Sequence, residues 1–564
     1  MWNVNFPIEG VTYHSEEMSA LYLKRNAWHE SSAGELLRTT ARRIPRSVAL
    51  ISEGRSLTYA EWDESSEKLA AALLGLGLCP GDSALFQMGT IVETAIALFA
   101  CFKAGIVPVC ALPQYREIEI MALGQRSKAK AYFVQANFSS FDLVGFAIGV
   151  ARRLPSVKHI VVTRQRVAVD GIERLEGLIE SQSLAKARLR LNSVTIGPRD
   201  VLEFQLSGGT TNVPKIIPRF HGEYLGQARN WAIRHEMEPG VVALYALPLI
   251  HNAGQVAMMF PSLLLGGKLV LMQRMDARLF FESVERERVS HSLSIGPVAV
   301  QMLDYSDVRR HDLSSLKCLM SFNRSDLLES HLNVPCTNIF GMTEGLLTSA
   351  GPSAPKEARF ESVGWPVSEL DEIRLVEPGA ERSLPEGKIG ELCFRGPSVT
   401  PGYLDMPEIN RTSFTSDGFF KTGDLMQARS VHANRCYSFE GRIKDNIDRG
   451  GEKFGAEEVE NAIVSHPAIV DAKVVAMPDR ILGEKACAFL IMHRDKEPPS
   501  VSELGSFLIG LGLAKFKLPE RIEVMETFPV TRVGKIDKPA LRQLIAEKLR
   551  VEQVVVSSGG DRPD

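Results

Sequence analysis

The chain has 564 residues, of which 45% are hydrophobic and 24% charged, with a formal net charge of −3. Such a length admits roughly three to five domains, or one large α/β body with a smaller unit, and the composition is that of an ordinary globular protein. A nearly balanced charge gives no footprint for nucleic acid or an anionic membrane, so any bound anion must be held locally.

The N-terminal segment lacks a basic n-region and an apolar h-region, so no secretion signal is expected. Thr58-Tyr59-Ala60-Glu61 has the spacing of a capping box and opens a helix that Gly75 and Gly77 end. Pro80-Gly81-Asp82 turns the chain into a strand over 83–88, a helix over 91–104 and a strand over 106–109. This strand–helix–strand rhythm recurs with strands at 159–162 and 268–271 and predicts parallel, helix-covered sheets. The apolar stretches 96–112 and 256–272 are interrupted by Lys103, Gly105 and Pro108, and by Pro261, Gly266, Gly267 and Lys268. Both read as helix–turn–strand units rather than membrane spans. The eight cysteines are scattered without Cys-x-x-Cys or a Cys/His cluster, which argues against a zinc site or disulfide framework. They are expected as buried small side chains in a reducing compartment, and the expected location is the cytoplasm.

An apolar stretch over 201–206 runs into Ser207-Gly208-Gly209-Thr210-Thr211-Asn212-Val213-Pro214-Lys215. The glycines let backbone approach an anion, the hydroxyls of Ser207, Thr210 and Thr211 can donate to phosphate oxygens, and Lys215 adds positive charge. It is not a Walker loop, because Val213 stands five after Gly208 and Ile216 follows Lys215. Taken alone, the segment is either a phosphate loop or a solvated turn.

Beyond about residue 385 the texture changes to short segments punctuated by Pro385-Glu386-Gly387, Gly396-Pro397, Pro401-Gly402-Tyr403 and Asp417-Gly418, which predicts an antiparallel, turn-rich subdomain. After Gly441 a small α+β unit is expected, with helices near 456–464 and 502–511 and a strand at 472–476. The tail 557–564 is polar and expected to be disordered.

Further motifs follow in order: Asn338-Ile339-Phe340-Gly341-Met342-Thr343-Glu344, Lys421-Thr422-Gly423-Asp424, Gly441-Arg442-Ile443-Lys444-Asp445, Arg449-Gly450-Gly451-Glu452-Lys453 and Pro529-Val530-Thr531-Arg532-Val533-Gly534-Lys535. With the 207–215 loop, and over about residues 25–550, the chain resembles the adenylate-forming superfamily of acyl- and aryl-CoA synthetases, peptide-synthetase adenylation domains and luciferase-type enzymes. It is most similar to stand-alone aryl-acid:AMP ligases, which load salicylate or 2,3-dihydroxybenzoate in siderophore assembly. The resemblance implies a large N-terminal adenylation domain over 1–441, built from parallel helix-covered sheets plus a β-rich subdomain. A small mobile α+β C-terminal domain over 442–556 would follow.

The resemblance also implies ATP and Mg²⁺ as cofactors. Ser207, Gly208, Gly209, Thr210, Thr211 and Lys215 would then surround the β- and γ-phosphates, and Glu344 would hold the metal or its water. Thr343 would contact the α-phosphate, while Phe340 and Gly341 would lie at the adenine. Asp424 would accept the ribose hydroxyls, since its two oxygens match two donors. Arg442 is expected near ribose and phosphate, Lys444 at the hinge, and Lys535 as the movable cation of the transition state. The segment 449–453 would face a pantetheine thiol, on a carrier protein or on CoA.

Leu247-Pro248-Leu249-Ile250-His251-Asn252-Ala253-Gly254 matches the segment lining the acyl pocket of that family. Asn252 replaces the aspartate with which amino-acid-activating relatives pair the substrate ammonium, favouring an aryl acid with an ortho polar group. His251 either gates the pocket and orients the carboxylate or is a satisfied core histidine. Three departures stand out. Ala253 and Ala257 replace the usual Tyr and Ser/Cys, Phe322-Asn323-Arg324 replaces Gly-Gly-Ala, and Asn212 replaces a glycine. The first opens the choice of acid to larger or differently substituted aryl acids, the second is expected to reshape the pocket or the nucleotide site, and the third is compatible with function because Asn tolerates left-handed geometry. Two other readings remain open: an aryl- or acyl-CoA ligase, and a non-catalytic binder of nucleotide or acyl-adenylate.

Overall fold

The computed structural model describes residues 3–166, 169–207, 214–295, 297–322, 324–449, 452–479, 482–511, 513, 515–531 and 535–558. The chain divides into two compact units, one comprising Met1–Ile373, Phe394–Phe420 and Ser430–Cys436, the other Arg374–Cys393, Lys421–Arg429 and Tyr437–Asp564.

Two sheets organise the first unit. A seven-stranded sheet runs in the order Glu173–Arg174, His159–Thr163, Ala131–Gln135, Ser83–Gln87, Val107–Cys110, Val201–Leu206, Ile216–Phe220. Its pairings are parallel except the last, where Val201–Leu206 turns back antiparallel onto Ile216–Phe220. A nine-stranded sheet has parallel pairing from Val48–Ser52 through Lys268–Leu271, Val242–Tyr245, His291–Ser294 and Cys318–Ser321 to Cys336–Gly341. Antiparallel strands Arg55–Thr58 on one side and Leu347–Ser349 with Trp365–Pro366 on the other complete it.

The expected helix–strand alternation is present. Thr58 caps helix Tyr59–Gly75 through a full capping box with Glu61, as the Thr-x-x-Glu spacing requires. The next helix, Val92–Ala104, is buried at every position, which explains its lack of a polar face. Its one basic residue, Lys103, sits against Asp63 at 2.5 Å and Ser66 at 2.8 Å, so the buried charge is paired.

The second unit includes most of a four-stranded sheet made by Glu372–Val376, Ile389–Arg395, Phe420–Val431 and Asn434–Arg442. This is the turn-rich stretch of the sequence. It also contains a five-stranded sheet in which Ile469–Asp479 pairs antiparallel with Gly483–Met492, and Arg521–Val524 adds in parallel. Ile447, Val459, Ile463, Val474, Ala488, Leu504 and Leu508 form its core with helices Ala456–Val464 and Val501–Gly510. The strand expected at 472–476 is longer than its apolar run, because only alternate residues face that core. The last helix, Lys538–Ser558, extends into the segment expected to be disordered, and 559–564 lie outside the described residues. Among the described residues no helix is long and apolar enough to cross a membrane.

Candidate active site

The antiparallel return between Val201–Leu206 and Ile216–Phe220 positions the two ends of the expected phosphate loop. Leu206 pairs with Ile216, which sets Ser207 opposite Lys215. Ser207 and Lys215 seal the neck of that loop: the Ser207 N–H donates to the Lys215 carbonyl at 2.9 Å, and the Lys215 N–H to Ser207 Oγ at 3.0 Å. Gly208, Gly209, Thr210, Thr211 and Asn212 lie outside the described residues. Lys215 Nζ stands 4.2 Å above the ring of Tyr403, and the Tyr403 hydroxyl donates to Glu344 Oε1 at 2.8 Å. The lysine of one motif and the glutamate of another therefore meet through a buried tyrosine. Burial and the Glu344 charge hold the Tyr403 phenol well above its usual range, so it remains a neutral donor.

Glu344 belongs to a loop whose main chain is anchored residue by residue. Strand Cys336–Gly341 presents Phe340 opposite Thr348 and Gly341 opposite Leu347, and the 342–346 loop joins the two strands. The Thr343 carbonyl accepts from Arg219, the Glu344 carbonyl from the Thr400 N–H at 2.8 Å, and the Gly345 carbonyl from the Gln227 amide. Gly345 has φ +134°, and a Cβ there would stand 1.7 Å from the Ser398 carbonyl oxygen. Only glycine fits. Arg219 is completely buried and also pairs with Glu223 and with the Ser398 carbonyl at 3.2 Å. Nearby Asp371 accepts from the Ser398 N–H at 3.2 Å, and burial pushes its carboxyl up to about 7.

This donor set fits magnesium. Among the described residues no group of three or more His, Cys, Asp or Glu could hold a metal alone, while Glu344 offers a hard carboxylate oxygen. Mg²⁺ commonly binds through one or two carboxylates and completes its shell with water and substrate phosphates.

The second unit carries the expected ribose and transition-state residues. Gly423 has φ +73°, and its N–H donates to Glu391 Oε1 at 3.1 Å; Thr422 Oγ1 donates to the Leu392 carbonyl at 2.8 Å. This turn presents Asp424, which lies 3.0 Å from Arg442 Nε. The two residues assigned to the ribose region are thus an ion pair. Lys444 falls in a short 3₁₀ turn, Ile443–Asp445, and its side chain lies outside the described residues. Lys535 is exposed, and its N–H donates to Thr531 Oγ1 at 3.2 Å.

The expected acyl-pocket segment opens a broken helix. His251 is its N-cap, with Nδ1 accepting from the Ala253 N–H at 3.2 Å. Asn252 is buried, and its Oδ1 accepts from the Tyr224 hydroxyl at 2.5 Å, which assigns the other end of the amide as the NH₂ donor. The helix widens into one π turn over Gln255–Met259, where the Phe260 N–H reaches back to the Gln255 carbonyl. Pro261 explains the widening. It has no N–H for the Ala257 carbonyl, and its ring would clash there in a regular α-helix. Ala257 sits inside this turn, contributing only a methyl group. Asn323 lies outside the described residues, whereas Arg324 caps helix Ser325–Leu332 at φ +71°, a left-handed conformation that glycine would take without strain.

The sequence pattern of AMP-binding enzymes matches residues 37–404, and that of the AMP-binding enzyme C-terminal domain matches 458–535. The chain belongs to the AMP-binding enzyme family. It is 36% identical over 553 residues to a 2,3-dihydroxybenzoate-AMP ligase of Bacillus subtilis, spanning 96% of this chain and 99% of the relative. It is also 36% identical to the pyochelin synthase PchD of Pseudomonas aeruginosa, across 94% of this chain and 95% of that one. Among solved structures, the apo MbtA of Mycobacterium smegmatis is 30% identical, with TM-score 0.71 over 95% of this chain and 98% of that one.

In this AMP-binding enzyme the structure brings together Ser207, Lys215, Thr343 and Glu344 in the first unit, and Asp424 with Arg442 in the second. Sequence reasoning missed Tyr403, which links Lys215 to Glu344, because Pro401-Gly402-Tyr403 carries a turn signal that hides the tyrosine. It also missed Arg219 and Tyr224. Burying an arginine or a tyrosine hydroxyl needs partners distant in sequence, and no local pattern announces them.

Proposed function

We propose that the chain activates an aromatic carboxylic acid with ATP and passes the aryl group to the phosphopantetheine thiol of a carrier protein. The observations that carry this reading are the meeting of Lys215, Tyr403 and Glu344 and, on the expected acyl segment, the neutral amide of Asn252 where amino-acid-activating relatives carry an aspartate. Such an amide can bond a ring hydroxyl or nitrogen but cannot neutralise an α-ammonium group. The relatives named as 2,3-dihydroxybenzoate-AMP ligase and pyochelin synthase support the same acid class.

In the first half-reaction a carboxylate oxygen of the acid forms a bond to the α-phosphorus of ATP, and the bond to the bridging oxygen breaks to release pyrophosphate. Both reactants are anions, so catalysis is positioning and charge neutralisation. Lys215 and the 207–213 loop hold the β- and γ-phosphates, Thr343 the α-phosphate, and Glu344 the metal or a metal-bound water. Bound Mg²⁺ supplies charge neutralisation on the phosphate oxygens. Asp424 orients the ribose, with Arg442 released from its ion pair towards phosphate. Lys535 bridges the attacking carboxylate and the phosphate. In the second half-reaction the thiol sulfur bonds to the acyl carbon, AMP leaves, and the thiol proton is lost to solvent.

The test is ATP–pyrophosphate exchange over a panel of aryl acids and α-amino acids, followed by product analysis with holo carrier protein against free CoA. Exchange with aryl acids and acylation of the carrier are expected. Exchange with amino acids alone overturns the acid class, a CoA thioester as the sole product overturns the acceptor, and no exchange with any acid favours a binding protein.

A further inference from the structure

Two stretches of chain frame Glu344, the carboxylate assigned to the metal, and one buried side chain bridges them. Arg219, on strand Ile216–Phe220, has no exposed surface. Its Nη1 donates to the Thr343 carbonyl, and its Nη2 to Glu223 Oε1 and, at 3.2 Å, to the Ser398 carbonyl. Thr343 immediately precedes Glu344 in the loop that carries it. Ser398 opens the segment that grips it: the Thr400 N–H meets the Glu344 carbonyl at 2.8 Å, and the Tyr403 hydroxyl meets Glu344 Oε1 at 2.8 Å.

The strand of Arg219 and the helix after it close this frame. The Leu404 N–H donates to the Ile216 carbonyl at 2.9 Å, which ties the gripping segment to the strand of the arginine. Gln227, one turn beyond Glu223 on helix His221–Arg234, donates to the Gly345 carbonyl. Glu223 is as buried as its partner and accepts from the Phe220 N–H at 3.3 Å. Burying such a pair is costly, and apolar side chains of similar size often replace one with no loss of stability. Stability is therefore a poor account of Arg219. An apolar residue cannot supply a planar fork that meets a carboxylate and two carbonyls at fixed angles.

We infer that Arg219 is a positioning residue for adenylation: by fixing the Thr343 and Ser398 carbonyls it sets the Glu344 carboxylate to take the metal, while Glu223 holds the guanidinium in register. This rests on the assignment of Glu344 to Mg²⁺ made above. Loss of an outer partner of a metal ligand typically costs about 10–100-fold in metal affinity or activity. The loss should fall unequally on the two half-reactions, because only the first uses the triphosphate.

The test compares wild type with Arg219→Met/Glu223→Met, which removes the buried pair together and keeps side-chain bulk. A milder variant, Arg219→Lys, keeps the charge but not the fork. Mn²⁺, a paramagnetic stand-in for Mg²⁺, is titrated in the presence of ATP, and its binding is read by electron paramagnetic resonance. The double variant should bind Mn²⁺ at least ~10-fold more weakly, with Arg219→Lys in between. ATP–pyrophosphate exchange with the fastest aryl acid of the panel should fall in step, and transfer from its preformed aryl-AMP should change far less. A merely structural arginine would lower the melting temperature and impair both half-reactions alike, with no change in Mn²⁺ affinity of the folded protein. Unchanged Mn²⁺ binding in a folded double variant, or equal losses in the two half-reactions, overturns the positioning role. The guanidinium also lies 5.0 Å from the ring of Tyr224, whose hydroxyl holds Asn252. A rise confined to the KM of the acid would thus move the action of Arg219 to the acyl segment and overturn the inference as well. If the double variant does not fold, Arg219→Lys decides by the same criteria. Glu344→Gln separates the premise from the inference: unchanged Mn²⁺ affinity there overturns the metal assignment of Glu344. Weakened binding there, with unchanged binding in the Arg219 variants, overturns the inference alone.

Discussion

Two lysines are assigned to phosphate chemistry, and the molecule treats them in opposite ways. Lys215 is half-buried at the neck of a hairpin, with its ammonium over the Tyr403 ring and its backbone bonded twice to Ser207. Lys535 is exposed in the C-terminal unit, where a Thr531 side chain meets its backbone N–H. A charge needed throughout the reaction is best built into a rigid frame, because preorganisation spares its rearrangement at the barrier. A charge needed for only one half-reaction is better placed where little packing must be undone to withdraw it.

The sharpest way to break this contrast is to remove the exposed lysine. Lys535→Ala is expected to reduce adenylation by about 10²–10³-fold, the scale of losing one transition-state donor. Thioester formation from preformed aryl-AMP should change far less. Exchange assays set against single-turnover transfer measure the split, and equal losses in both would abolish the distinction.

The rigid frame is tested next through its closest approach. Gly345→Ala forces a Cβ to within 1.7 Å of the Ser398 carbonyl at a positive φ, so either the loop or its neighbour must move. A loss of about 3 kcal/mol is expected, read from denaturant unfolding. A variant of unchanged stability would mean that the Glu344 loop is less constrained than its three anchored carbonyls imply.

Tyr403→Phe is gentler. It keeps the ring under Lys215 and removes the hydroxyl from Glu344, so it separates the two functions of one residue. The expected effect is about 1–2 kcal/mol, seen as a roughly 5- to 30-fold rise in the Mg²⁺ needed for half-maximal exchange. No change in the magnesium dependence would remove Tyr403 from the metal side of the site.

The smallest expected effect is on pH dependence. Burial raises the Asp371 carboxyl to about 7 from an ordinary 3.8. Well below 3.8 the group is neutral in both states. As pH rises from about 4 to 7 the unfolded chain releases a proton that the folded chain keeps, so native stability falls. Across that window the wild type should lose stability relative to Asp371→Asn, by no more than about 1.4 kcal/mol per pH unit, the one-proton limit. Parallel stability–pH curves for the two proteins would place Asp371 outside this linkage.

The parts of this site that were legible in sequence are those where one short segment does the work. The strand before 207 and the helices over 456–464 and near 501–510 follow from local apolar patterns. Glu344 and Asp424 were singled out because their neighbours repeat a known order of motifs. What stayed hidden depends on residues far apart in the chain. Tyr403 lies 59 positions from Glu344, and Arg219 lies 124 from the carbonyl it holds. The π turn was hidden for another reason: Pro261 reads locally as a break, and only the packed helix shows that the chain widens instead of stopping.

That turn separates two tasks that a regular helix would lock together. An α-helix fixes the angle between any two of its residues, so a pocket face and a core face cannot be adjusted independently. By taking an extra residue into one turn, the segment sets residues 252–254, assigned to the acid, in one register while Phe260, Pro261, Ser262 and Leu263 remain buried in another. Deleting one residue from 255–259 would rotate one face against the other by about 100°. If this segment lines the acid pocket as proposed, the breadth of acids it can be adapted to depends on segment length as well as on side-chain identity.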